Sequence, residues 1–218
     1  MMIQKEVWNK KACEYWEQKH KNYSRETIKT DDWLGHYDAI IKKASTPIVD
    51  LGCGSGNDTL YLMEKGKQVI ACDQSTNALS NIRKNFPDIY DTKQFSMLDT
   101  FPLENESCQL IVADLCLHYF LAEDTKRIVD EIYRILTSGG YLLMRVNSIN
   151  DVNFGAGKGR ELEKNLYVTE EGRIKRFFDE SDIKMFFSIF DICKMEEKSM
   201  YRYSKPKQLF EVCLQRRE

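Results

Sequence analysis

The chain lacks most of the features that assign a function quickly. Its 218 residues include only four prolines and three histidines. No run approaches the roughly 18 apolar residues that a bilayer-spanning helix needs, so no membrane span is expected. The opening residues, MMIQKEVWNKK, carry charge with no apolar run behind them, so no secretory leader is expected. There is no excess of positive charge. Lys and Arg total 32 against 34 Asp and Glu, a net charge of −2. Nucleic-acid binders usually carry a basic excess, so no nucleic-acid partner is expected. There is no C-x-x-C pair among the seven cysteines, Cys13, Cys53, Cys72, Cys108, Cys116, Cys193 and Cys213. Several lie inside apolar runs, and they read as reduced thiols used as small apolar side chains in a cytoplasmic protein. His20, His36 and His118 lack metal-ligand spacing, so no metal is expected.

What is present is a periodic pattern typical of an α/β domain. Trp8, Ala12, Tyr15, Trp16 and Lys19 recur at helical spacing, and a second helix is predicted from about Asp31 to Ala44. Short apolar runs near 48–51, 68–73, 93–97, 110–113 and 141–146 then alternate with helices near 57–65, 76–85 and 124–136. Gly139-Gly140 reads as the cap that closes the last of these helices. Residues 147–172 are polar and glycine-bearing, read as an ordered insertion or a mobile loop. A helix near 177–187 and strands near 189–202 and 208–214 complete the pattern. Strand–helix alternation of this kind means βαβ units and a parallel sheet. The expectation is one domain over 1–218, with a helical segment over 1–45, a core over 46–147, an insertion over 148–176 and completion of the sheet over 177–218.

The sharpest motif is Val49-Asp50-Leu51-Gly52-Cys53-Gly54-Ser55-Gly56-Asn57, which follows a strand and opens a helix. Glycines let the backbone turn sharply and approach a ligand closely. A dinucleotide site requires G-x-G-x-x-G, and Asn57 stands where its third glycine belongs. Asp50 beside the loop also suits a cationic ligand better than a pyrophosphate. "VDLGCGSGNDTLYL" resembles the D-x-G-x-G-x-G motif of class I S-adenosylmethionine-dependent methyltransferases. The resemblance covers Ile48 to Val146, through "IVADLCLHYF" and "RILTSGGYLLMRVNS". It implies a Rossmann-like, doubly wound, mostly parallel sheet of seven strands, the last antiparallel, with an N-terminal helical lid, and S-adenosylmethionine as cofactor.

The resemblance also assigns residues. Asp50, Gly52, Cys53, Gly54 and Gly56 form the cofactor loop. Asp73, ending the second strand, takes the ribose, with Gln74 beside the adenine. Leu98 and Asp99 flank the adenine, and Asp114 and Leu115 lie near the methionine end. Tyr15 and Tyr23 belong to the lid, which is either functional or simply core.

Methyl transfer needs in-line alignment more than a dedicated base. His118 is the candidate base, or else lines the pocket with Tyr119. Arg145, Asn147 and Asn150, around the end of the fifth strand, are candidate acceptor contacts. The glycine-bearing stretch beyond them reads as a flap or a plain loop. Lys158, Arg160, Arg173, Lys175 and Arg176 read as a solvated face rather than an anion site. No [DN]-P-P-[YF] segment follows the fourth strand; Asp114-Leu115-Cys116-Leu117 stands there. That absence points away from nucleobase substrates and toward a small-molecule acceptor, as in thiopurine or tellurite methyltransferases. A non-catalytic adenosylmethionine-binding protein and an NAD-dependent oxidoreductase, the latter disfavoured by Asn57 and Asp50, remain as alternatives.

Overall fold

The structure is a computed structural model that describes residues 2–21 and 28–217. Tyr23, expected in the lid, lies outside the described residues. No described helix is long and apolar enough to cross a membrane.

Seven strands form one sheet in the order β3-β2-β1-β4-β5-β10-β9: β1 Ile48–Leu51, β2 Val69–Asp73, β3 Asp91–Gln94, β4 Cys108–Asp114, β5 Leu136–Asn147, β9 Phe190–Met200 and β10 Lys207–Arg216. β1 to β5 pair in parallel, and β10 runs antiparallel between β5 and β9. The expected fold, with its last strand antiparallel, is the observed one. Strands buried on both faces read as continuous apolar runs, and successive residues here face opposite sides. Ile48, Leu110, Val112 and Leu143 pack with Leu62 of α3 (Asn57–Glu64) and Ile41 of α2 (Asp38–Lys43). Val49, Ile111, Leu142 and Met144 pack with Ile128 and Ile132 of α5 (Ala122–Ile135) and Ile183 of α6 (Glu180–Phe186).

The helix ends follow from local chemistry. The Ser75 hydroxyl caps α4 (Thr76–Asn85) by accepting the Ala78 N–H at 3.0 Å. Asp179 and Asp182 make a reciprocal capping box at the start of α6. The Gly139-Gly140 expectation is corrected. Leu136, already extended at ψ 140°, ends α5, and the two glycines lie inside β5. There, pairing with β4 jumps from Leu136 to Tyr141, and Gly139 takes a left-handed φ of +69°. The expected helix over 31–44 is also corrected. It is a 3-10 turn, Asp32–Tyr37, followed by α2. Trp33, Leu34, Tyr37 and Ile41 bury against the sheet. Within the expected 1–45 lid, α1 (Met2–Lys19) is therefore the helix that lies over the cavity described below, and 32–43 belongs to the core.

Residues 147–172 are neither loop nor flap throughout. After a 3-10 turn at Val152–Phe154 comes a three-stranded antiparallel sheet, β6 Arg160–Glu163, β7 Leu166–Val168 and β8 Ile174–Arg176. Its buried Leu166 and Ile174 pack on Trp8 of α1.

Candidate functional site

A cleft of about 1220 Å³ opens at the C-terminal ends of β1, β2 and β4, the place where open α/β sheets bind ligands. The β1–α3 loop forms its floor. Gly52 has φ +72°, and a Cβ there would meet the Cys116 Cβ at 2.6 Å, so any larger residue drives the loop away from the segment that leaves β4. Asp73 ties this loop to β2. One of its oxygens accepts the Gly54 N–H at 3.0 Å and the other accepts the Ser75 N–H at 2.9 Å. Each carboxylate oxygen has a second lone pair, so Asp73 keeps acceptor capacity toward the cleft that it lines. Burial pushes its carboxyl up, against the pull of these hydrogen bonds.

α1 roofs the cleft through Tyr15, Trp16 and Lys19, continued by His20 just past its end. It is held at one end by Glu17, whose carboxylate accepts the Ser75 hydroxyl at 2.6 Å and the Asn77 N–H at 3.2 Å. An acid at the first turn of α4 also opposes the positive end of that helix. Trp16 stacks on His20 at 5.7 Å and meets Tyr119 edge-on at 5.5 Å.

Three carboxylates set the charge under the loop. Asp58, at the start of α3, accepts the Trp33 indole N–H at 2.9 Å; burial, then Asp114 and Asp50, hold its carboxyl well above the usual range. Burial alone would also raise Asp114. Two hydrogen bonds from Arg145, at 2.7 and 2.8 Å, and one from Arg202 at 2.9 Å outweigh it and hold the group at about 2. Asp50 sits behind the loop, accepts the Thr59 hydroxyl, and is pushed to about 7 by burial and by Asp114 and Asp73.

At the far end the lining changes character. Arg173, Lys175, Arg202 and Lys207 stand among Tyr15, Tyr119, Phe154 and Tyr203. The Arg173 guanidinium lies 3.7 Å from the Tyr15 ring centre. His118 is 1% exposed and lines the cleft, and its Nδ1 has no partner among the described residues. Burial, then Lys175 and Lys207, hold its imidazole well below its ordinary value.

Of the expected site residues, the fold gathers Gly52, Cys53, Gly54, Asp73, Gln74, Leu98, Asp114, Leu115, Tyr15, His118 and Tyr119 around one cleft. Others lie off it. Asp50 and Gly56 are behind the loop. Asp99 is exposed and turned into a backbone bend. Arg145 is spent on Asp114 and on Asp31 at 2.8 Å. Asn147 is fully buried, and Asn150 donates to Glu197 at 2.9 Å. The reading of Arg173 and Lys175 as a solvated face is corrected, because the turn before β8 and β8 itself bring them to the cleft; Arg176 is buried on Glu163 instead. Phe154, Arg202 and Lys207 went unpredicted. Only their sequence position after the sheet core hinted at a site, since they converge through β10 and the 152–154 turn. No described cluster of His, Cys, Asp and Glu has the arrangement of a metal site.

Residues 49–144 match a family model described as a methyltransferase domain. A tRNA N(3)-methylcytidine methyltransferase Mettl2 of Drosophila melanogaster is 28% identical over 206 residues, 83% of this chain and 62% of the fly protein. The tRNA N(3)-cytidine methyltransferase METTL2 of Gallus gallus is 27% identical over 158 residues, 66% of this chain and 42% of the bird protein. The chain thus spans 42–62% of the length of these curated relatives. A SAM-dependent methyltransferase from Anabaena variabilis superposes with a TM-score of 0.70 over 95% of this chain and 94% of its own, at 17% identity, a likeness of fold. The expectation of a small-molecule acceptor and no nucleic acid is overturned by relatives named for action on tRNA. Both arguments behind it were weak in physical terms. Net charge averages over the whole molecule and hides the four cations, Arg173, Lys175, Arg202 and Lys207, at one end of the cleft. The missing tetrapeptide concerns exocyclic and amide nitrogens, whereas the relatives' N(3) is a ring nitrogen.

Proposed function

We propose that this chain is a class I S-adenosylmethionine-dependent methyltransferase, a reading supported by the methyltransferase-domain match over residues 49–144, and that its acceptor is a nucleobase of an RNA, a transfer RNA by likeness to its relatives. The observation that carries the reading is the two-ended cleft. Its acid-lined end under the glycine loop suits a cationic cofactor, and its far end interleaves cations with aromatic rings. Single-stranded RNA is recognised by stacking of splayed bases on aromatic and guanidinium planes together with phosphate contacts.

The residues fit the cofactor. A cationic cofactor bound here would favour the charged forms of Asp58 and Asp114, against the burial and the like charges that lift the Asp58 carboxyl. Asp73 retains lone pairs for ribose hydroxyls, and Phe95, Met97 and Leu98 offer an apolar wall for a purine ring. When bound, the cofactor supplies an electrophilic methyl on a leaving thioether.

The chain's own task is alignment. A ring nitrogen with an in-plane lone pair attacks without losing a proton, so no base is required. His118, neutral through burial, is assigned to hydrogen-bond the edge of the base through Nδ1. Tyr119 and Trp16 wall the reacting region, and α1 excludes water from it. The domain reading goes with this one: α1 as lid, 46–147 as cofactor core, 148–176 as acceptor side.

The test is incubation with S-adenosylmethionine labelled in its methyl group and bulk tRNA, followed by nucleoside analysis. Label in a methylated nucleoside is the expected result. Label in no RNA, despite measurable cofactor binding, would overturn the acceptor assignment.

A further inference from the structure

The cationic end of the cleft is short of negative charge. The Lys207 ammonium is matched by Asp151 at 2.7 Å. Arg202, 7% exposed, gives one nitrogen to Asp114 in a network where Arg145 bridges Asp114 and Asp31, so its charge is matched, but its Nη1 is buried without a partner among the described residues. Arg173 reaches only the exposed Glu171, at 3.4 Å, and its Nε is likewise unpartnered. The Lys175 ammonium, deep in the cleft, donates to a neutral acceptor, the Phe154 carbonyl at 2.9 Å. Lys175 and Lys207 both approach the Phe154 ring, at 6.0 and 4.6 Å. Buried charge without a counter-charge is strongly unfavourable, and unused charged donors aimed into a cavity are what an incoming anion satisfies.

Resting on the RNA reading above, we propose that Arg173, Lys175 and Arg202 form a subsite for a phosphodiester of the acceptor strand, next to the base presented for methylation. Several donors converge from three segments, the β7–β8 hairpin, β8 itself and the turn before β10. Such a set suits a phosphate's several oxygens, while Phe154 and Tyr203 offer ring faces to the adjoining base. Lys175 gives the subsite a signature. Burial and Lys207 lower its ammonium to about 7. The groups facing it are Lys207 on β10, Asp151 before the 152–154 turn, Arg173 and Glu171 on its own hairpin, and His118. Burial lowers the Lys207 ammonium and Asp151 opposes that shift, while burial keeps His118 neutral. Lys175 lacks such an ion-pair partner, and a bound phosphate favours its charged form.

The experiment titrates a dinucleoside monophosphate, whose diester does not titrate in this range, and the matching free nucleoside. Both go into the S-adenosylhomocysteine-loaded protein at pH 6 and pH 8.5. The dinucleotide is expected to bind roughly tenfold tighter at pH 6, with the preference shrinking at pH 8.5, in line with one charge-assisted hydrogen bond. Lys175→Gln should hold the preference at its reduced, pH 8.5 level at both pH values, leaving what Arg173 and Arg202 supply. Lys175→Arg, which stays charged, should keep the preference and lose its pH dependence. Equal binding of the two probes, or an unchanged pH profile in Lys175→Arg, would sink the subsite. RNA methylation with an unaltered KM in Lys175→Gln would sink it while leaving the RNA reading intact. Phosphate preference without any RNA methylation would overturn its assignment to an acceptor strand.

Discussion

Asp73 is tied to the loop by two backbone N–H groups and lines the cleft with lone pairs to spare. The two roles separate by substitution. Asp73→Asn keeps the size and one acceptor but loses the charge. Asp73→Ala loses both the ribose contact proposed for it and the tie to Gly54. Calorimetry should find S-adenosylmethionine binding weakened by about 1.5–3 kcal/mol in Asp73→Ala, and less in Asp73→Asn. Equal affinity in all three proteins would remove Asp73 from the cofactor site. Asp50 makes a different prediction. Its folded pKa of about 7 lies above its unfolded value, so its contribution to stability is present at low pH and is lost as pH rises from about 4 through 7. The unfolding free energy should fall across that window with a steepest slope of about 1.4 kcal/mol per pH unit. Asp50→Asn, which can still accept the Thr59 hydroxyl, should flatten it. Denaturant titrations at a series of pH values make the comparison, and an unchanged slope in the variant would clear Asp50.

At the scale of elements, the latch of α1 on α4 through Glu17 is the device that brings the roof over the cleft. Glu17→Ala removes two hydrogen bonds to the start of α4 and the charge that opposes its dipole. Hydrogen exchange in α1 is expected to rise severalfold and cofactor affinity to drop, with the global unfolding midpoint nearly unmoved, because α1 lies outside the two large sheet-packed cores. A fall in the midpoint with no local change in exchange would contradict this. The elements differ in how plainly the sequence announces them. β1, β2, β4 and β5 are apolar runs between turn residues, buried on both faces, and α5 carries its stripe on one side; all were legible. The β6–β8 sheet was not, because strands of three and four residues with one half-buried face leave no apolar run, and their buried members, Leu166 and Ile174, are stitched to Trp8 far away in the chain. The Gly139-Gly140 reading failed for a related reason. A glycine pair after a helix looks the same whether it caps the helix or permits a bulge in the next strand. The glycine loop and Asp73 were readable because their spacing is local. Arg202 and Lys207 were not, because only the placement of β10 beside β5 brings them to the cleft.

Over the whole molecule, a net charge of −2 coexists with a cationic cleft end, so long-range attraction for a polyanion is weak and contact attraction is local. The expected salt dependence of RNA binding is correspondingly shallow. Log affinity against log salt should have a slope between roughly −1 and −3, as for a few phosphate contacts to a single strand. A slope near −10 would mean a far broader basic footprint than this cleft provides. The position of β10 has a further consequence, for biogenesis. Residues 207–216 leave the ribosome after every other strand of this sheet, yet they lie inside it, between β5 and β9, and carry Lys207 to the cleft. During translation the cofactor half, β1 to β5, can collapse early, but β9 has no strand to join until β10 emerges. Nascent chains halted before residue 207 should therefore display an open β5 edge, which makes this stage the one at which the protein most needs a chaperone.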